Sequence, residues 1–192
     1  SVAVAARATA GVYWSVEEGA PGTFRQIGLD GRDIRSLEVQ YDGPRTFLWA
    51  GAAAEGGDVG DGSFRWELRG REIPPEGWQH FGQGWTGGTC RALAFLDSTV
   101  VAASHRAGVL RLDVNQRQPT WQPSDVRSGL PLRDPGHFFP VDAVAADAHA
   151  GWIMAGGVEG VYRSQDGGVH YGNSSISEFS DRVSLPATWL FC

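Results

Sequence analysis

One pattern recurs along this chain about every fifty residues, and it constrains the fold more than any other feature. A run of small or apolar residues leads to a glycine, and a short apolar or aromatic segment follows. The pattern runs from Val4 to Gly11 and into Val12-Tyr13-Trp14-Ser15. It runs again from Val101 to Gly108 and into Val109-Leu110-Arg111-Leu112, and from Ile153 to Gly160 and into Val161-Tyr162-Arg163-Ser164. In all three the apolar start lies seven residues before the glycine. A looser copy begins at Leu48-Trp49-Ala50-Gly51. It is interrupted by an acidic insertion at 55–62 and resumes at Gly62-Ser63-Phe64-Arg65-Trp66. After each copy comes a polar turn and then an aromatic: Phe24, Trp78, Trp121 and Tyr171.

Before three of the copies stands a further strand candidate, at 34–41, 90–95 and 141–146. The first alternates as a half-buried strand does. The other two are small and apolar, as strands buried on both sides are. Each unit thus holds four short strands joined by Gly, Pro and Asp turns. The composition agrees, with 27 glycines, 10 prolines, 8 tryptophans and 9 phenylalanines in 192 residues. Four strands per unit of this length is the signature of a β-propeller blade. The expected fold is all-β: a propeller of four-stranded antiparallel blades. The units are a partial one at 1–30, fuller ones at 31–85, 86–130 and 131–181, and the opening of another at 182–192, with a strand at 188–192. The chain reads as part of a larger ring. Expressed alone, it is expected to expose two apolar faces and to self-associate. The competing fold is a β-sandwich with coincidental repeats.

The clearest motif is Ser164-Gln165-Asp166-Gly167-Gly168-Val169-His170-Tyr171. It resembles the Asp-box, or BNR repeat, of sialidases, sortilin-type receptors, xyloglucan hydrolases and photosystem II assembly factors, within the broader WD40/YVTN-like class of propellers. The resemblance implies that Ser164, Asp166, Gly168 and Tyr171 shape the turn between the third and fourth strands of a blade. The carboxylate accepts turn amides, the glycines open the turn, and the aromatic fills the space between blades. It implies a structural role on the outer rim. The first unit keeps Ser15 and a carboxylate at Glu17, with Phe24 two residues late. The second and third keep mainly the glycine-led strand and a tryptophan.

Catalytic and metal sites are not assignable from spacing. Arg7, Arg35, Arg91, Arg111 and Arg163 are available to grip a carboxylate but stand in no recognisable motif. Asp142 and Glu38 lie on candidate inner strands, where a glycosidase would need paired carboxylates. His80, His105, His137, His149 and His170 lack metal-ligand spacing. Glu55, Asp58 and Asp61 offer oxygens for calcium, set against a plainly solvated acidic loop. Cys90 and Cys192 allow one disulfide or two free thiols. No catalytic residue, cofactor or metal is therefore expected.

Two loops are longer than a plain blade needs, at 55–62 and 128–140. The second carries Leu130, Leu132, Arg133, Phe138 and Phe139 and is the candidate interaction loop; the alternative is that its apolar residues cap the gap between blades. The stretch from Trp78 to Trp85 is read as inter-blade packing, with a sugar-stacking platform as the alternative. The formal net charge of −6 speaks against nucleic acid as partner, and no apolar run reaches membrane-spanning length. All 16 basic residues are arginine. A GC-rich coding bias explains that and points to a bacterium. The expected function is a non-enzymatic scaffold for protein–protein interaction. Its partners belong to a larger assembly, such as a phage-tail-like contractile injection system, in the cytoplasm or on a particle. The alternative is a secreted, carbohydrate-binding or glycosidase (sialidase-like) propeller, with a glycan as partner.

Overall fold

The structure, a computed structural model, describes residues 3–7, 10–54, 58–70 and 77–174. These residues are all-β, with no helix among them. The first sheet is three-stranded, with β1 (Ala3–Arg7), β2 (Gly11–Ser15) and β3 (Arg25–Gln26). The second has β4 (Ile34–Asp42), β5 (Arg45–Ala52), β6 (Ser63–Leu68) and β7 (Gln79–Phe81). The third has β8 (Cys90–Leu96), β9 (Thr99–Ser104), β10 (Val109–Asp113) and β11 (Gln122–Pro123). A separate hairpin, β12 (Leu132–Asp134) and β13 (His137–Phe138), interrupts the series. The last sheet has β14 (Val141–Asp147), β15 (Trp152–Gly157), β16 (Gly160–Ser164) and β17 (Gly172–Asn173).

Every sheet is an antiparallel meander in chain order. First strands turn tightly into second strands: β4 into β5 across Gly43 and Pro44, and β8 into β9 across Asp97 and Ser98. Repeat positions correspond in the structure as well. Gly11 and Gly160 each open a third-strand equivalent, so β1 corresponds to β5, β9 and β15. The strand candidates at 34–41, 90–95 and 141–146 are β4, β8 and β14, each one residue longer than expected.

The second strands show how the sheets are stacked. Along β5, Leu48, Ala50 and Ala52 enter one apolar cluster with Val12, Ile34 and Phe64, while Phe47 and Trp49 enter another. Along β9, Val100 and Ala102 join Trp49, Phe81 and Trp121; Val101 and Ala103 join Val141, Ile153 and Tyr171. Successive side chains of a strand point to opposite faces. Each of these strands therefore feeds two cores, one on each side of its sheet. That is why their sequences read as unbroken small and apolar runs rather than alternating ones. It corrects the expectation for 90–95 and 141–146. The first strands β8 and β14 are only half-buried at several positions, and full burial falls on the second strands.

Consecutive first strands also adjoin, β4 beside β8 and β8 beside β14. The described residues form no closed ring. The expected strand at 188–192, the unit opening at 182–192, Glu55, Cys192 and the Arg7 side chain lie outside the described residues.

Candidate functional site

The turn after β16 is built from its own side chains. Ser164, fully buried at the strand end, accepts the amides of Asp166 (3.4 Å) and Gly168 (2.8 Å) on Oγ. Its hydroxyl donates to Asp166 Oδ1 at 2.8 Å. The same oxygen accepts the amides of Val169 (3.0 Å) and His170 (2.9 Å), and Oδ2 pairs with His170 Nδ1 at 2.8 Å. Desolvation pushes the Asp166 carboxyl upward. The bonds from the His170 amide and ring, the Ser164 hydroxyl and the Val169 amide outweigh it, and hold the group well below the usual carboxylate range. The first sheet repeats half of this design without the carboxylate. Ser15, also buried, accepts the amides of Glu17 and Gly19, each at 3.2 Å, the same two spacings that Ser164 serves.

The folded-state pKa of Asp166 is depressed relative to the unfolded chain. Its stabilisation is therefore present above the ordinary carboxylate value, about 4, and is lost as pH falls below it. Asp166→Asn keeps the shape and removes the charge. Because the side chain is 45% exposed, solvent screening brings the cost at neutral pH to about 1 kcal/mol, below the range for buried charged hydrogen bonds. Thermal melts from pH 7 to pH 2 should show the gap between wild type and variant closing on the acid side. A constant gap would contradict the assignment.

The aromatics that follow the third strands lock each sheet to the one before. Trp78 donates its indole N–H to the Ile27 carbonyl at 2.8 Å, and Trp121 donates to the Phe81 carbonyl at 2.9 Å. The Trp121 amide reaches the Gln83 carbonyl (2.9 Å) and the Tyr171 amide the Ser128 carbonyl (2.6 Å). Next to these acceptors stand Gly84 and Gly129, whose Cα atoms lie under the Trp121 and Tyr171 carbonyls with no room for a Cβ. Arg111 crosses from β10 to the Gly167 carbonyl at 3.3 Å, tying the third sheet to the Asp166 turn. Phe24, the counterpart in the first sheet, is 38% exposed, with no earlier sheet among the described residues to receive it.

Residues 128–140 divide into two roles. Leu130 and Phe138 are buried and pack on Gly108 within the core shared by the third and last sheets. Leu132 and Arg133 stand exposed on the hairpin, Arg133 at 70%, and Phe139 is half-buried. The segment expected as a loop is therefore a short hairpin whose apolar residues fill the gap and whose tip is accessible. In the Trp78–Trp85 stretch, Phe81 and Trp85 are buried. Trp85 meets Trp121 edge-on at 5.1 Å between the second and third sheets, while Trp78 packs on Trp66 of its own sheet at 5.6 Å and reaches the first sheet through its bond to Ile27.

The remaining candidates fall at different places. Asp61 pairs with Arg32, and the Asp58 carbonyl accepts Arg106 at 3.2 Å. Among the described residues no three His, Cys, Asp or Glu side chains converge as metal ligands. His80 stacks on Phe64 at 4.6 Å and bonds the Asp61 carbonyl; burial, then Arg32, lowers its pKa. His137 and His149 are exposed. Arg163 lies over the Trp152 ring at 5.3 Å. Glu38 is raised by burial. Cys90 is a free, buried thiol pushed up to about 12 by desolvation, which keeps it protonated and unreactive.

One group does assemble. Arg91 pairs with Asp142, and its other terminal nitrogen donates to His105 Nδ1 at 2.9 Å. A guanidinium only donates, so Nδ1 is the unprotonated nitrogen and the ring is neutral. Burial lowers the pKa of His105, and Arg91, Arg106 and Arg133 lower it further against Asp142. In the sequence Arg91, His105, Asp142 and Arg133 stand far apart, and nothing in their spacing joins them. Joining them takes a backbone irregularity. In β4, β8 and β14 the register shifts at the second residue, and the extra residues are Arg35, Arg91 and Asp142. The available signal was a charged residue directly after the first apolar residue of each strand, in Ile34-Arg35, Cys90-Arg91 and Val141-Asp142. Compared with known proteins, the chain matches no protein-family model and no curated sequence.

Proposed function

We propose that this chain is a β-propeller segment of the Asp-box type that acts as a non-enzymatic scaffold for protein–protein interaction. The observation that carries the reading is the division of β5 and β9 between two cores each. Four meanders stacked in this way make a quasi-one-dimensional array in which each unit is held by its neighbours. Adjoining first strands β4, β8 and β14 suit a radial arrangement with those strands innermost. Such a body binds by shape. Hairpins and turns fixed on stiff sheets lose little freedom on association, and that raises affinity without extra contacts. The accessible tip of β12–β13, with Leu132 and Arg133, is the surface assigned to the partner. The partner is another protein within a larger assembly, and a phage-tail-like contractile injection system is the kind of particle we assign it to.

The test is the native size of the protein in extracts of its source, with identification of whatever copurifies. Migration in a particle far larger than the 20.6 kDa chain, with stoichiometric partners, is expected. Recovery as a free, secreted monomer that binds glycans would contradict the scaffold reading.

A further inference from the structure

We propose that the arginine cluster around His105 is an anion-binding site for an acidic segment of a protein partner. This rests on the scaffold reading and adds the chemistry of the partner. A β-bulge turns a side chain out of the regular alternation and is a common device for aiming one at a site. Here it occurs at the same register position of three consecutive sheets, and the extra residue is charged each time: Arg35, Arg91 and Asp142. The three positions lie side by side. Ser36, next to Arg35, donates to the Cys90 carbonyl at 3.4 Å, and Arg91 pairs with Asp142. Packing alone does not call for a charged residue at every one of these bulges. A shared surface at this end of the first strands does.

Arginine is gathered at that surface, although the chain carries −6. Arg91, Arg106 and Arg133 all act on His105, against Asp142, and Arg133 also faces the exposed Asp134 carboxylate at 3.7 Å. His105 adds no charge, but it accepts from Arg91 and so fixes the direction of that guanidinium. Asp142, 14% exposed, braces the other side. Arg91 is thereby held between two partners while remaining 35% exposed, and Arg133 projects from the hairpin at 70% exposure. An oriented guanidinium beside further arginines suits carboxylates, which arginine binds in a forked geometry. Exposed Leu132 and half-buried Phe139 flank Arg133, so the surface continues as apolar. That favours an extended acidic segment with apolar residues over a small free anion.

The experiment titrates the protein with a hexaglutamate peptide and, in parallel, a hexaglutamine peptide, following the His105 ring signals by NMR at low and physiological salt. The expected result is binding of the glutamate peptide alone, with shifts at His105 and a steep loss with salt. Arg133→Gln removes an exposed charge and should leave the fold intact while weakening binding about tenfold, the scale of one charged hydrogen bond. Arg133→Glu should abolish it. Equal binding of both peptides, or glutamate binding unchanged in both variants, would overturn the site. Absence of peptide binding, with partners still copurifying, would overturn this inference and leave the scaffold standing. Glutamate binding by a protein found as a free monomer would support the site and remove the scaffold.

Discussion

Trp121→Ala should lower the unfolding free energy by about 4 kcal/mol, within the range for deleting a buried tryptophan. Trp121 is 2% exposed and sits where the second and third sheets meet. Three losses coincide there. The ring leaves a cavity among Phe81, Trp85, Leu93 and Leu110, the edge-on contact with Trp85 disappears, and the Phe81 carbonyl loses the indole N–H. A domain of this size holds about 5–15 kcal/mol in total, so the variant should stand near the limit of folding. Urea denaturation at 25 °C reads the loss directly. Trp121→Phe separates the terms, because it keeps most of the ring and gives up the hydrogen bond; it should cost about 1–2 kcal/mol. A Trp121→Ala cost below 1 kcal/mol would mean that the two sheets do not depend on this contact.

Gly129→Ala tests the same kind of interface one step along the chain, through backbone rather than side chain. The residue has φ +90°, and a Cβ there would collide with the Tyr171 carbonyl, which is itself held by the bond from its amide to Ser128. The left-handed backbone costs alanine about 1–2 kcal/mol. The collision adds a similar amount, since both partners are main chain and neither can rotate away. A total of about 3 kcal/mol is expected. Gly136→Ala supplies the control. It too has positive φ, +82°, in the turn of the β12–β13 hairpin, but nothing lies within 4 Å of the new methyl. It should cost only the conformational part. Thermal or urea melts of the two variants should differ by about 2 kcal/mol. Equal melts would show that the approach of Tyr171 to Gly129 carries no energy.

These two contacts also show how far the fold could be read from the amino acids. The repeated aromatics were readable because each follows its glycine-led strand at a similar distance, and burying one between sheets needs only a large ring. The second strands were readable as apolar runs. Their assignment to two cores was not, because periodicity shows that both faces are buried and not what buries them. Gly84 and Gly129 were missed: a glycine followed by a large apolar residue, as in Gly84-Trp85 and Gly129-Leu130, looks like an ordinary turn until the facing carbonyl is seen. The β12–β13 hairpin was hidden by the prolines at 131, 135 and 140, which suggest irregular chain. At the Asp166 turn the bonds made by the Ser164 and Asp166 side chains are local, each partner within four residues, so the motif alone indicated that acceptor network. The cluster around His105 is the opposite case. Arg91 and Asp142 are 51 residues apart, and only the stacking of sheets brings the two bulges together.

The most direct measurement is electron cryo-microscopy of the protein as it occurs in its source, at a resolution that separates strands. Sheets arranged radially, with β4, β8 and β14 innermost and Trp78, Trp121 and Tyr171 between neighbours, is the predicted result. Two sheets packed face to face as a sandwich, with those rings in one common core, would contradict it.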